Sequence, residues 1–166
     1  MLRIRLFRAF LPLILSSLVP CIAASPAHPV LDTSRPIRWS ALAADRRQPD
    51  MKEAIRRAHE AVDRICRTAP EEITYENTFG ALEEVNVSLT EPMAKAYALK
   101  SLCDSDSIRK AMDEATPLAV AFHSSLTKNQ SLWNTLKTAH ARLGDAVADP
   151  ERKRYMELCM QSFRDN

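Results

Sequence analysis

The chain has 166 residues, with 23 Lys and Arg against 21 Asp and Glu, and 46% of its residues are hydrophobic. A near-neutral balance with short, acid-interleaved basic clusters (Arg46-Arg47, Arg56-Arg57 and Arg152-Lys153-Arg154) reads as solvated helix faces and argues against a nucleic-acid surface. Two glycines and no runs of alternating β-branched residues argue against a sheet, so the expected fold class is all-α, about five helices, several kinked by proline.

Residues 1–24 read as an export signal. Arg3, Arg5 and Arg8 form its positive end, and an apolar run from Ala9 to Ala23, interrupted by Pro12 and Pro20, is short for a membrane span. Small residues at Ala23, Ala24 and Ser25 suit cleavage after Ala23 or Ala24. An uncleaved anchor and lipid attachment at Cys21 are weaker alternatives, both disfavoured by the prolines. The expected location is outside the cytoplasm, periplasmic or secreted. Cleavage leaves 20 basic against 21 acidic residues, so the small positive charge belongs to the signal. It also leaves three cysteines, Cys66, Cys103 and Cys159, whose spacing is not that of a zinc site and whose odd number precludes complete pairing. Small core residues are their favoured reading, although one pair could bridge in an oxidising compartment.

The mature chain, about 140 residues, is long enough for one domain with a real core. Residues 25–49 read as a lead-in, loose from Ser25 to Pro29 and anchored by Trp39, Ala41 and Leu42; residues 50–166 read as the helical domain. Asp50 is expected to cap a first helix with an apolar stripe of Met51, Ile55, Ala58, Val62 and Ile65. Thr68 to Glu72, with Pro70, forms a break. A second helix carries Tyr75, Phe79, Leu82, Leu89, Met93 and Tyr97, with Asn86 filling one slot of the stripe. Pro92 should kink it or force a restart capped by Thr90. Asp104 to Asp106 opens a third helix through Ile108, Met112, Ala115, Leu118 and Phe122, which Pro117 should bend. A fourth runs from Gln130 through Leu132, Trp133, Leu136, His140 and Leu143, with Gly144 as its stop. Asp149-Pro150-Glu151 is a cap followed by proline at the first helical position, starting a fifth helix with Tyr155, Leu158, Met160 and Phe163.

The run Thr74-Tyr75-Glu76-Asn77-Thr78-Phe79-Gly80-Ala81-Leu82-Glu83-Glu84 resembles a signature near the N-terminus of the zinc-dependent oligopeptidases, the family of thimet oligopeptidase, neurolysin, oligopeptidase A and dipeptidyl carboxypeptidase. Tyr75 stands where that family usually has Phe. Further stretches are similar in the same order: Trp39 to Ala61, Arg64 to Thr78, and Ser107 to Leu143 with its Pro117-Leu118-Ala119 step and with Asn129, Leu132 and Trp133. The last is Arg152 to Asp165, which contains Phe163-Arg164. The resemblance implies a helical region that forms part of the wall of a channel admitting short peptides. It also implies that zinc is carried by a segment this chain lacks, because H-E-x-x-H does not occur in it. On this reading Tyr75, Glu76, Asn77 and Thr78 are structural, no residue is catalytic or a metal ligand, no cofactor is held by this chain, and the substrate-binding residues are unknown. Short peptides would be met by the missing catalytic part. A free-standing helical module binding a peptide or a partner helix is the alternative.

Other chemistry is weak in the sequence. His59-Glu60-Ala61-Val62-Asp63 approaches the zinc motif but has Asp63 in place of the second histidine and no third ligand. His123, Ser124 and Ser125 lack a Gly-rich oxyanion turn beside them. His140 reads as a packed or half-exposed residue of the fourth helix. Neighbouring carboxylates, Glu71-Glu72 and Glu83-Glu84, diverge by about 100° on a helix and do not make an acid/base pair. Glu76 and Asn77 read as cap and turn groups. Asn86-Val87-Ser88 and Asn129-Gln130-Ser131 match the glycosylation pattern. Tyr155, Leu158 and Phe163 are expected to present apolar surface capable of self-association, and no stable membrane span is expected after cleavage.

Overall fold

The computed structural model describes residues 27–34, 36–42, 47–103, 105–144 and 146–165. Among these there are five α-helices and no strand: α1 Arg47–Cys66, α2 Ala81–Leu102, α3 Asp106–Thr127, α4 Gln130–Leu143 and α5 Pro150–Arg164. No helix of the described residues is long and apolar enough to cross a membrane. The signal at residues 1–24 lies outside the described residues, as do Ser25, Arg46 and Asp104.

Helix α1 lies at the centre, against α2, α3 and α4, and α5 packs on α4. The α1 stripe is buried as the periodicity requires, with Met51, Ala54, Ala58, Val62 and Ile65 each 3% exposed or less and Ile55 packed against them. One cluster joins this stripe to Phe79, Leu82 and Leu89 of the second segment, Phe122 of α3, Leu132 and Leu136 of α4, and Met156 and Met160 of α5. In α2 the buried face drifts from the expected one. Val85, Ala96 and Leu99 are inside, Met93 is half-buried, and Tyr97 is exposed.

Both interior prolines are absorbed. Helix α2 runs through Pro92 and α3 through Pro117 without a restart, so Thr90 caps nothing. Caps are local where the sequence offers them. The Asn129 side chain accepts from the Leu132 N–H, and Asp149 accepts from those of Glu151 and Arg152. Ser105 takes this part for α3, accepting from Ile108. Gly144 ends α4, yet its φ of −52° is right-handed. The glycine is needed there for space, since a Cβ would sit 2.9 Å from the His140 carbonyl oxygen.

The lead-in is held more firmly than expected. Helix α1 begins at Arg47, so Asp50 lies inside its first turn and is not its cap. The Asp50 carboxylate is fully buried, accepting from the Val30 N–H at 2.9 Å and bonding His28 Nδ1 at 2.9 Å. Lys95, 4% exposed, reaches from α2 to donate to the carbonyls of Val30 and Asp32. Val30, Leu42 and Leu99 form a small second cluster, Pro29 is buried, and Trp39 is left exposed. Arg47 departs from the reading of its cluster as solvated, being 2% exposed and donating to the Leu42 carbonyl. Burial depresses its pKa. Arg56 and Arg57 do lie on a solvated face, paired with Glu53 and, for Arg56, Glu60.

At the other end, Tyr155 and Phe163 find partners within the chain. Both pack on the main cluster, and Phe163 stacks on Trp133 with centroids 5.8 Å apart. Leu158 alone of that trio stays exposed.

Candidate groove between α2 and α5

The Thr74–Gly80 segment is knit by its own side chains. Asn77 accepts from the Thr74 N–H at 2.8 Å, and Thr74 Oγ1 accepts from the Asn77 N–H at 3.2 Å, a reciprocal pair of the capping-box kind. The Asn77 amide also donates back to the Glu72 carbonyl, and the Thr78 hydroxyl donates to the Thr74 carbonyl. The chain then makes one π-helical turn over Glu76–Gly80, closed by the Gly80 N–H donating to the Tyr75 carbonyl at 2.8 Å, before α2 begins. Phe79 and Thr78 are fully buried by this turn. Such a turn advances the chain by one extra residue per hydrogen bond and so re-aims what precedes it.

What it re-aims is Tyr75 and Glu76. The Tyr75 ring packs against Gly80, where a Cβ would lie 3.3 Å from the Tyr75 carbonyl oxygen. Arg152 of α5 sits over the same ring, its guanidinium carbon 4.6 Å from the centroid, and bonds Glu76 at 2.7 Å. The Glu76 carboxyl is held below its ordinary range by its own backbone N–H and then by Arg152. Arg152 is raised in turn by Glu76. Burial raises the Tyr75 hydroxyl, with the Glu83 charge adding to it.

These residues form one wall of an open groove of about 680 Å³ between α2 and the first half of α5. Tyr75, Gly80, Val87 and Tyr155 line it with apolar surface, and Glu83, Glu84, Glu91 and Glu151 supply carboxylates. The Tyr155 hydroxyl accepts from Asn86 at 3.4 Å, and burial pushes its pKa up. Burial likewise raises the thiol of Cys159.

Of the signature residues, the structure brings Tyr75 and Glu76 to this groove. Asn77 lines a second one, about 460 Å³, between α1 and α2 beside Arg57 and Arg64, and Thr78 is in the core. The Glu76 carboxylate crosses to α5, whereas Asn77 ties the turn to the chain before it. Val87, Arg152 and Tyr155 were not singled out from the sequence as site residues. The signal for Val87 was available: Glu83, Val87 and Glu91 recur every four residues on one face of α2, outside its buried stripe. Nothing local marks Arg152 as the partner of a residue 76 positions away.

The remaining candidates stay apart. His59 and Asp63 are exposed on α1, where His59 meets the Phe122 ring edge at 4.9 Å, and His123 is exposed on α3. No group of three His, Cys, Asp or Glu close enough to hold a metal occurs among the described residues. The three described cysteines are free; Cys66 and Cys159 are half-buried, while Cys103 is exposed and so departs from the core reading. Both glycosylation-pattern asparagines are engaged, Asn86 with Tyr155 and Asn129 as the α4 cap. The chain matches no family model, no curated protein and no solved structure.

Proposed function

We propose that the chain is the N-terminal helical region of an exported zinc oligopeptidase, shaping the approach to a site that hydrolyses short peptides and is carried by another segment. The observation behind this reading is the Thr74–Glu84 run, where the resemblance is densest. Its side chains are spent on a knitted turn and a π-helical turn, which seat Tyr75 and Glu76 on the wall of an open groove. That is a shaping role and not a catalytic one. Zinc hydrolysis needs two histidines a helical turn apart with a glutamate beside the first, and this sequence contains no such set. By itself the chain should therefore neither bind catalytic zinc nor cleave peptides.

The second reading, a free-standing helical binding module, is favoured by one feature. Tyr155 and Phe163 are packed within the chain, so the fifth helix has a core of its own to join. Reading the coding DNA beyond the Asn166 codon separates the two. A frame continuing into H-E-x-x-H with a later glutamate supports the peptidase reading. A stop followed by unrelated sequence overturns it and leaves the binding module.

A further inference from the structure

The α2–α5 groove is unusual in what its charges lack. The carboxylates of Glu83, Glu84 and Glu151 have no hydrogen-bonded or ion-paired partner among the described residues. Among the described residues, the one cation lining the groove is Arg152, which is already taken by Glu76 and the Tyr75 ring. Asp149 and Glu151 also offset the positive end of α5, so the helix terminus does not restore the balance. Between these carboxylates lies apolar surface, with Val87 56% exposed in mid-helix and the half-buried Tyr155 ring beside it. A partner suited to this groove must therefore bring apolar side chains and positive charge together.

Its length selects the partner's backbone. From Gly80 to Glu91 the groove follows α2 for about 16 Å, three helical turns. No strand edge exists among the described residues. An extended peptide would lie there with its N–H and C=O groups unserved, whereas a helix satisfies its own and offers apolar anchors at i, i+3 or i+4, and i+7.

We propose that this groove seats one amphipathic helix of a partner protein, its apolar stripe on Val87 and Tyr155 and its Lys or Arg side chains on Glu83, Glu84 and Glu151. The proposal does not depend on the peptidase reading, since the docking helix is not a substrate and the test involves no hydrolysis.

The test uses the purified exported chain and a fluorescein-labelled Leu/Lys amphipathic peptide of about 18 residues, roughly five turns. A Leu/Glu peptide of the same pattern and a shuffled Leu/Lys peptide of the same composition serve as controls, with binding followed by anisotropy. The Leu/Lys helix should bind and the controls should not. Binding should weaken about tenfold or more between low and high salt, because the pairs are exposed. Val87→Lys, and separately the combined Glu83→Gln, Glu84→Gln and Glu151→Gln variant, should each lose about tenfold or more, as expected of a central anchor and of the charge set. Circular dichroism should show both variants folded, since these side chains are exposed. Absence of binding, equal binding of either control, or binding that survives both variants overturns the proposal. So does a dimer in sedimentation that Val87→Lys dissolves, because the groove then belongs to a second copy.

Discussion

Asp50→Ala removes the one buried carboxylate that, among the described residues, ties the lead-in to α1. Two donors lose their acceptor, the Val30 N–H and His28 Nδ1, each at 2.9 Å from a side chain that is fully shielded from water. Hydrogen bonds to a charged group contribute about 1.5–3 kcal/mol each, and an orphaned buried donor costs about 1–3 kcal/mol. The protein has a second route: residues 27–42 can detach so that water serves both donors. Detachment exposes Val30 and Leu42, 3% and 6% exposed in the fold, at about 1.5–3 kcal/mol for each side chain. It also frees Lys95 from the carbonyls of Val30 and Asp32. The His28 side chain is 33% exposed and can turn to water, which leaves the Val30 N–H as the buried donor without an acceptor, so the cheaper route costs about 2–3 kcal/mol in urea denaturation. Limited proteolysis should show new cleavage between residues 27 and 42 while α1 to α5 stay resistant. His28→Ala, which opens Asp50 to water and removes one donor, should cost about 1 kcal/mol. A loss below about 0.5 kcal/mol for Asp50→Ala, with the lead-in still protected, would refute the view that this carboxylate is its latch.

Four further outcomes are expected. Gly144→Ala should destabilise by about 1 kcal/mol or more in thermal or urea unfolding, because the new Cβ meets the His140 carbonyl oxygen at 2.9 Å; a gain in stability, usual for a glycine at negative φ, counts against that crowding. Phe79→Ala should cost about 3–5 kcal/mol, a large share of the stability of a domain this size, and a variant that melts like the parent shows that the ring is not central to the core. The Glu53 carboxyl should titrate at about 2 by NMR, because Arg56 and then Arg57 bond its ionised form. Its folded-state value is depressed from 4.5, so its contribution is present above that value and lost as pH falls toward about 2; Glu53→Gln should flatten that part of the acid limb, and an ordinary titration near 4.5 shows that the pairs do not persist in solution. Finally, a quenched fluorogenic peptide with added zinc should remain uncut by this chain alone, and hydrolysis that a chelator abolishes would overturn the proposed shaping role.

Helix identity was legible because its causes are local. The α1 stripe, Asp149 as a cap, Pro150 at a first helical position and Pro70 in the break all act within a few residues, and each stands where the sequence reading puts it. Where a local signal misled or left alternatives open, a distant contact decided. Pro92 left a kink or a restart open, and α2 runs through it without a restart, its other residues packed on the bundle. Asp50 can cap a helix in isolation, but the folded chain brings Val30 and His28 to it from some twenty residues away. The α2 stripe could be drawn through Tyr97 or through Val85, Ala96 and Leu99, and the positions of α1 and the lead-in decided between them. The groove belongs wholly to tertiary structure: Glu76 meets Arg152, and Asn86 meets Tyr155, across 76 and 69 residues. The sequence by itself therefore determined that about five helices form among the described residues and where α3, α4 and α5 begin, since hydrogen bonding and side-chain period are set by neighbours. Only the packing of α5 against α4 and beside α2 decided which carboxylates are paired and which are left facing an open apolar groove, because desolvation and ion pairing depend on what arrives from elsewhere in the chain.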